Sequence, residues 1–64
     1  MKTYSSREVL TKLYADGWYK VGQESSHIHL KHPTKSGKVT VTHPKKVIPI
    51  GTLKKLSSNT GVRF

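Results

Sequence analysis

Gln23-Glu24-Ser25-Ser26-His27-Ile28-His29-Leu30-Lys31-His32-Pro33-Thr34-Lys35-Ser36-Gly37-Lys38-Val39-Thr40-Val41-Thr42-His43-Pro44 is the stretch that decides the fold. Ile28 and Leu30 are spaced by two, and so are the β-branched Val39 and Val41. Between these runs lies the turn-forming segment Pro33-Thr34-Lys35-Ser36-Gly37. Period-two alternation around a glycine-containing connection predicts a β-hairpin. Alternation also sorts the chemistry, because successive side chains of a strand point to opposite faces. With Ile28, Leu30, Val39 and Val41 against a core, His27, His29, Lys31, Lys38, Thr40 and Thr42 face solvent. All four histidines lie in this hairpin or at its end.

Upstream of the hairpin, Ser5 and Glu8 have the spacing of a capping box, in which each side chain satisfies an orphan backbone donor. Val9, Leu10, Leu13 and Tyr14 then form an apolar stripe at helical spacing. Asp16-Gly17 ends that helix, with Gly17 suited to a left-handed cap. The first strand is expected from Trp18 to Glu24, Tyr19 and Val21 alternating with Lys20 and Gly22. Trp18, directly after the helix stop, is assigned to the core rather than to base stacking. Gln23 to Ser26 forms a turn into a second strand from His27 to His32, which Pro33 ends. The third strand is Lys38 to Thr42, and Pro44 biases His43 to an extended conformation. Downstream, Pro49 suits a first helical turn. Ile50, Leu53 and Leu56 mark one helical face, opposite Lys54 and Lys55, and Gly61 stops the helix. Val62-Arg63-Phe64 is too short to assign.

The element order is helix, three antiparallel strands, helix, an α+β fold in one domain spanning residues 1–64. With both helices on one side of the sheet, the other side stays open to solvent. The histidines and lysines named above would occupy that open face, and Lys20 is expected to join them. Parity puts His32 on the opposite side and His43 on the core side of a strand end.

Charge is the strongest global feature. Twelve Lys and Arg oppose three acids, Glu8, Asp16 and Glu24, for a formal net charge of +9. Such imbalance in a 64-residue chain costs self-repulsion and points to a polyanionic partner. Nucleic acid is favoured over an anionic membrane, since no basic amphipathic helix supports the latter. An acidic protein partner, or charge serving solubility alone, are the other readings. The absence of cysteine excludes a disulfide framework and a Cys-based zinc site, and fits a reducing cytoplasm. No apolar run approaches the ~20 residues of a membrane span. Met1 to Arg7 has no apolar stretch that would serve as a signal peptide.

Several chemistries lack their residues. There is no phosphate-binding glycine loop, no cysteine nucleophile, and too few acids for a two-carboxylate mechanism or a carboxylate-held metal. His27, His29 and His32 do not form a metal set, because alternation separates His32 from the other two. What remains is histidine, serine, lysine and tyrosine, which suffices for RNA cleavage without a cofactor. The 2′ hydroxyl of RNA is the nucleophile; the protein supplies a base, an acid and cations. Imidazole, with an unperturbed pKa of about 6.5, suits the base.

Ser26-His27 with its alternating strand, Lys31-His32-Pro33, Gly37-Lys38-Val39-Thr40-Val41, His43-Pro44-Lys45-Lys46 and Pro49-Ile50-Gly51-Thr52-Leu53 together resemble the HicA family of toxin mRNA interferases. Ser6-Arg7-Glu8-Val9-Leu10 and Asp16-Gly17-Trp18 are similar to that family too, so the likeness runs through nearly the whole chain in order. The resemblance implies a double-stranded-RNA-binding-domain-like fold, cleavage of mRNA, and a HicB antitoxin that covers the active site. The implied setting is the cytoplasm of a bacterium, or of one carrying a phage or plasmid. The family's catalytic histidine follows a Gly-Ser pair and maps onto His27, with its serine on Ser26. Two positions depart: Ser25 stands where the family has glycine, and Val47 where many relatives have an acid. Beside this implied site, Lys20, His29, Lys31, Lys38, Lys45 and Lys46 are expected to contact RNA. A non-catalytic RNA-binding module of the same fold is the alternative, and a protein-interaction domain a third reading.

Overall fold

The capping box forms as its spacing predicts. In the computed structural model, which describes residues 3–64, Ser5 Oγ accepts the Glu8 N–H at 3.2 Å. Glu8 Oε1 in turn accepts the Ser5 N–H at 3.0 Å. Met1 and Lys2, which begin the stretch read as lacking a signal peptide, lie outside the described residues. Helix α1 runs Ser6–Ala15 and buries Ser6, Val9, Leu10 and Leu13. Those positions repeat at three and four residues and fill one face. Tyr14 belongs to the expected stripe but falls a further 100° round the helix and is half exposed.

Strands β1 (Tyr19–Glu24), β2 (His27–Lys31) and β3 (Lys38–Thr42) pair antiparallel in the order β1-β2-β3. Helix α2 follows at Ile50–Thr60, with Pro49 as its N-cap and Gly61 in the left-handed conformation at its end. The order and pairing are those of the expected α+β fold. Leu53, Leu56 and Thr60 form the buried face of α2, whereas Ile50 is exposed at its start. Ile28, Leu30, Val39 and Val41 from the sheet, Val9, Leu10 and Leu13 from α1, and Leu53 and Leu56 from α2 belong to one buried cluster. Both helices therefore cover the same sheet face. Trp18 and Ile48 complete the core.

The first strand departs from simple alternation. Tyr19 pairs with Lys31 and Lys20 with Leu30, but Gly22 pairs with His29, so a bulge leaves Val21 without an opposite residue. A bulge inverts the facing of everything before it. Lys20 accordingly lies opposite Leu30, on the helix-side face, and not on the open face as expected. Its Nζ donates to Gln23 Oε1 at 2.7 Å. Tyr19 takes the open-face place beside Lys31, and Tyr19 and Val21 are both about half exposed.

Polar contacts close the two ends of the molecule. Ile48 N–H donates to Tyr4 O at 2.8 Å and Ser6 N–H to Lys45 O at 2.9 Å, which lays the chain after β3 against the N-terminal segment. Phe64 folds back edge-on to the buried Tyr4, with ring centroids 5.5 Å apart. At the other end, His32 packs on Trp18 and its Nδ1 accepts the Thr34 and Lys35 N–H groups, both at 3.1 Å. The proton therefore sits on Nε2, which donates to Asp16 O at 2.8 Å. Gly17 is required beneath this ring, since its φ is +104° and a Cβ there would lie 2.9 Å from Nε2. Lys35 Nζ donates to Asp16 Oδ2 at 2.6 Å and to Thr60 O at 2.7 Å, joining the β2–β3 loop to the ends of both helices.

The Lys35 hydrogen bond holds the Asp16 carboxyl below its ordinary value of 3.8. A lowered folded-state pKa means that the contact stabilises above the unfolded value and is lost as pH falls through the folded one. Asp16→Asn is therefore expected to flatten the acid limb of a stability-versus-pH curve measured by urea unfolding, and an unchanged limb would remove this contact from the account.

Candidate functional site

The open sheet face is a small grid whose rows follow from the two registers. Glu24, His27 and Thr42 form one end row, Gly22, His29 and Thr40 the middle row, and Tyr19, Lys31 and Lys38 the other end row. Cross-strand partners share a face. Neither helix covers this side, because the apolar side chains that hold the helices all point the other way. Rows two residues apart on a strand are separated by about 6–7 Å.

His27 is exposed at the start of β2, and among the described residues its ring makes no hydrogen bond. His29 is more enclosed, with 20% of its side chain exposed. Its Nδ1 lies 3.0 Å from Thr40 Oγ1, and its Nε2 lies 3.7 Å from Glu24 Oε1. Lys31 and Lys38 are exposed and directly opposite each other. Like charges placed so destabilise a sheet slightly, and an anion between them removes that repulsion.

Ser25 and Ser26 make the two-residue connection between β1 and β2. Ser25 has φ +55°, the only positive φ of any non-glycine residue among those described. Positive φ at the first loop residue and not the second matches a type II′ connection, which favours glycine at that first place. Gln23 Nε2 donates to Ser25 O at 3.1 Å and braces the turn. Ser26 O accepts the His43 N–H at 2.7 Å, which extends the β2–β3 ladder past Thr42.

Beyond the His27 row, the chain enters a recess of ≈ 390 Å³ lined by Ser6, Arg7, His43, Lys45 and Lys46 among others. His43 is half buried there, its Nδ1 2.7 Å from Ser6 Oγ, which also accepts the Lys45 N–H at 2.9 Å. Basic residues thus flank the two histidine rows at both ends. Another hollow of ≈ 370 Å³, lined by Tyr4, Ile50, Leu53 and Phe64 among others, contains no residue of the open face. His32 is committed to the loop contacts with Asp16, Thr34 and Lys35, and no three His, Asp or Glu residues among those described gather as a metal set.

The structure thus brings His27, His29, Lys31 and Lys38 onto one face, with Ser26 at its rim and Lys45 and Lys46 just past it. Lys20 is not among them. Tyr19 and Glu24 join the face without having been named for it: the bulge brings Tyr19 there, and direct pairing with His27 brings Glu24. Ser6 and Arg7 join the recess from α1, and the near-invisible signal was their place beside the helix start.

A family model described as the HicA toxin of bacterial toxin–antitoxin systems matches residues 6–62. The chain belongs to the HicA toxin family. No curated protein matches it. Family membership makes the protein the toxin component of a toxin–antitoxin pair, so an antitoxin is the kind of partner it has. Among the described residues no helix is long and apolar enough to cross a membrane. Ser25, where the resemblance leads one to expect glycine, is the non-glycine residue with positive φ among those described.

An L-residue in the left-handed region costs roughly 1–2 kcal/mol, whereas glycine costs about 0.5–1 kcal/mol in extra chain entropy. Ser25→Gly is expected to stabilise the fold by about 0.5–1 kcal/mol, raising the thermal midpoint by a few degrees in calorimetry. A lowered midpoint would mean that the serine side chain makes a contact worth more than the strain.

Proposed function

We propose that this HicA-family toxin is an endoribonuclease that cleaves mRNA without a metal ion, using His27 as the general base. The carrying observation is the uncovered sheet face, where His27 stands exposed between the Lys31–Lys38 pair and the Lys45–Lys46 segment. A single RNA strand laid along β2 meets cations at both ends and imidazoles between them. His27 removes the 2′ proton, and the 2′ oxygen attacks the adjacent phosphorus. The lysines stabilise the charge that gathers on the phosphate oxygens. Ser26, at the rim of the face beside His27, offers a hydroxyl to the same phosphate. His29 contributes to RNA binding in this reading. Products are a 2′,3′-cyclic phosphate and a 5′ hydroxyl.

The partner in this reading is a HicB-like antitoxin that lies over the open face and hides His27. An acidic surface on that partner would match a toxin of net charge +9. The reaction belongs in the bacterial cytoplasm, where mRNA is. A non-catalytic RNA-binding module is favoured by one observation, the strained Ser25 at the turn that presents His27.

In excess EDTA the wild type is expected to cut labelled mRNA and leave cyclic phosphate ends, while His27→Ala loses at least about 100-fold in rate with its circular dichroism unchanged. Equal cleavage by the variant would remove His27 from the chemistry, and RNA binding with no cleavage by either protein would select the binding module. Replacing both Lys31 and Lys38 by alanine should reduce the slope of log affinity against log salt by about 1.4, at ~0.7 per phosphate contact on single strands. An unchanged slope would place the RNA elsewhere.

A further inference from the structure

We propose that His29 is the general acid of this cleavage, protonating the departing 5′ oxygen while His27 takes the 2′ proton. The inference rests on the ribonuclease reading of the face. It begins from spacing. His27 and His29 are two residues apart on one strand and share the open face, so their backbone positions differ by about 6–7 Å. A general acid or base must come within about 2.6–3.2 Å of its oxygen. One phosphate seated between the rings therefore meets a nitrogen on the attacking side and another on the leaving side.

The two rings are held differently, and the difference suits a division of labour. His27 has no hydrogen-bond partner among the described residues and is free to engage a 2′ hydroxyl. His29 is fixed in orientation by Thr40, its Nδ1 3.0 Å from the Thr40 hydroxyl. Its Nε2 faces the Glu24 carboxylate at 3.7 Å, and the two form an ion pair when the ring is protonated. The other titratable groups on this face are His27, Tyr19, Lys31 and Lys38, so Glu24 is the one anionic group there. Glu24 is 86% exposed at its side chain and free to swing aside as a leaving oxygen approaches. Opposite His29 on β1 stands Gly22, and a Cβ at that position would meet nothing within 4 Å. The middle row thus has open space beside the His29 ring, where the nucleotide carrying the leaving oxygen fits.

Protons and bonds balance in one step. The O2′–P bond forms as the O2′ proton passes to His27. The P–O5′ bond breaks as the His29 Nε2 proton passes to O5′. His27 ends as the imidazolium and His29 as the neutral ring, and water later hydrolyses the cyclic phosphate or leaves it in place.

The test uses an RNA oligonucleotide containing a site that wild type cuts, and the same oligonucleotide with sulfur in place of the bridging 5′ oxygen. A thiolate leaves without a proton, so that substrate needs no general acid. His29→Ala, and His29→Gln as a variant that keeps a polar group near Thr40, are expected to cut the oxygen substrate about 10²–10⁴-fold more slowly than wild type. Both should return to within about tenfold of wild type on the sulfur substrate, a size of recovery that general-acid catalysis requires. His27→Ala should stay inactive on both. Equal loss on the two substrates would overturn the proposal in favour of a binding or positioning part for His29, as would no loss on the oxygen substrate. If wild type itself leaves RNA intact, the ribonuclease reading fails first, and with it any acid role; that outcome shows in the wild-type lane alone.

Discussion

Burial of one sheet face holds this molecule together. Ile28, Leu30, Val39 and Val41 sit between the sheet and both helices, and they are the buried apolar residues of the sheet. A chain of 64 residues buries only about 60% of its unfolded surface. It has no material for a second layer. The same alternation that sends four aliphatic side chains inward sends two histidines, two lysines and two threonines outward. Stability and site are two consequences of one pattern. A slip of one residue in the β2–β3 register would bury the histidines and expose the core.

Because the core is thin, polar latches at its margins matter. His32 and Lys35, both in the segment after β2, use their side chains to bind the ends of the helices rather than any ligand. Ser6 and His43 do the same at the opposite end, where the chain leaves β3. Histidine thus has two kinds of employment here. His32 and His43 hold loops in place, and His27 and His29 stand on the open face. The sheet is presented as a fixed surface, which favours a site whose geometry is preset by strands rather than by loops.

The hairpin, the capping box and the helix stop at Gly17 were legible because each rests on local chemistry: spacing by two, paired Ser5 and Glu8, a residue tolerant of positive φ. The facing of Lys20 was not legible. It depends on a bulge at Val21, and nothing in Tyr19-Lys20-Val21-Gly22 distinguishes a bulged strand from a regular one before its partner is known. Tyr4 was missed and Phe64 was open between folding back and fraying, since both are placed by an edge-on contact between the two ends of the chain. Ile50 and Tyr14 fit helical spacing but lie at the margins of their stripes. At the site, alternation alone brings His27 and His29 to one face. The distances from His29 to Thr40 and Glu24 required the cross-strand register.

The central claim is that RNA lies along the open face of the sheet. The most direct measurement is a map of backbone amide shifts in the ¹⁵N-labelled protein on titration with an RNA strand whose 2′ hydroxyls are methylated, so that it binds without being cut. The account predicts perturbations concentrated at Gly22, His27, His29, Lys31, Lys38, Thr40 and Thr42, continuing to Lys45 and Lys46, with α2 unaffected. Perturbations centred on α2 and the Tyr4–Phe64 hollow, or none at low salt, would contradict it.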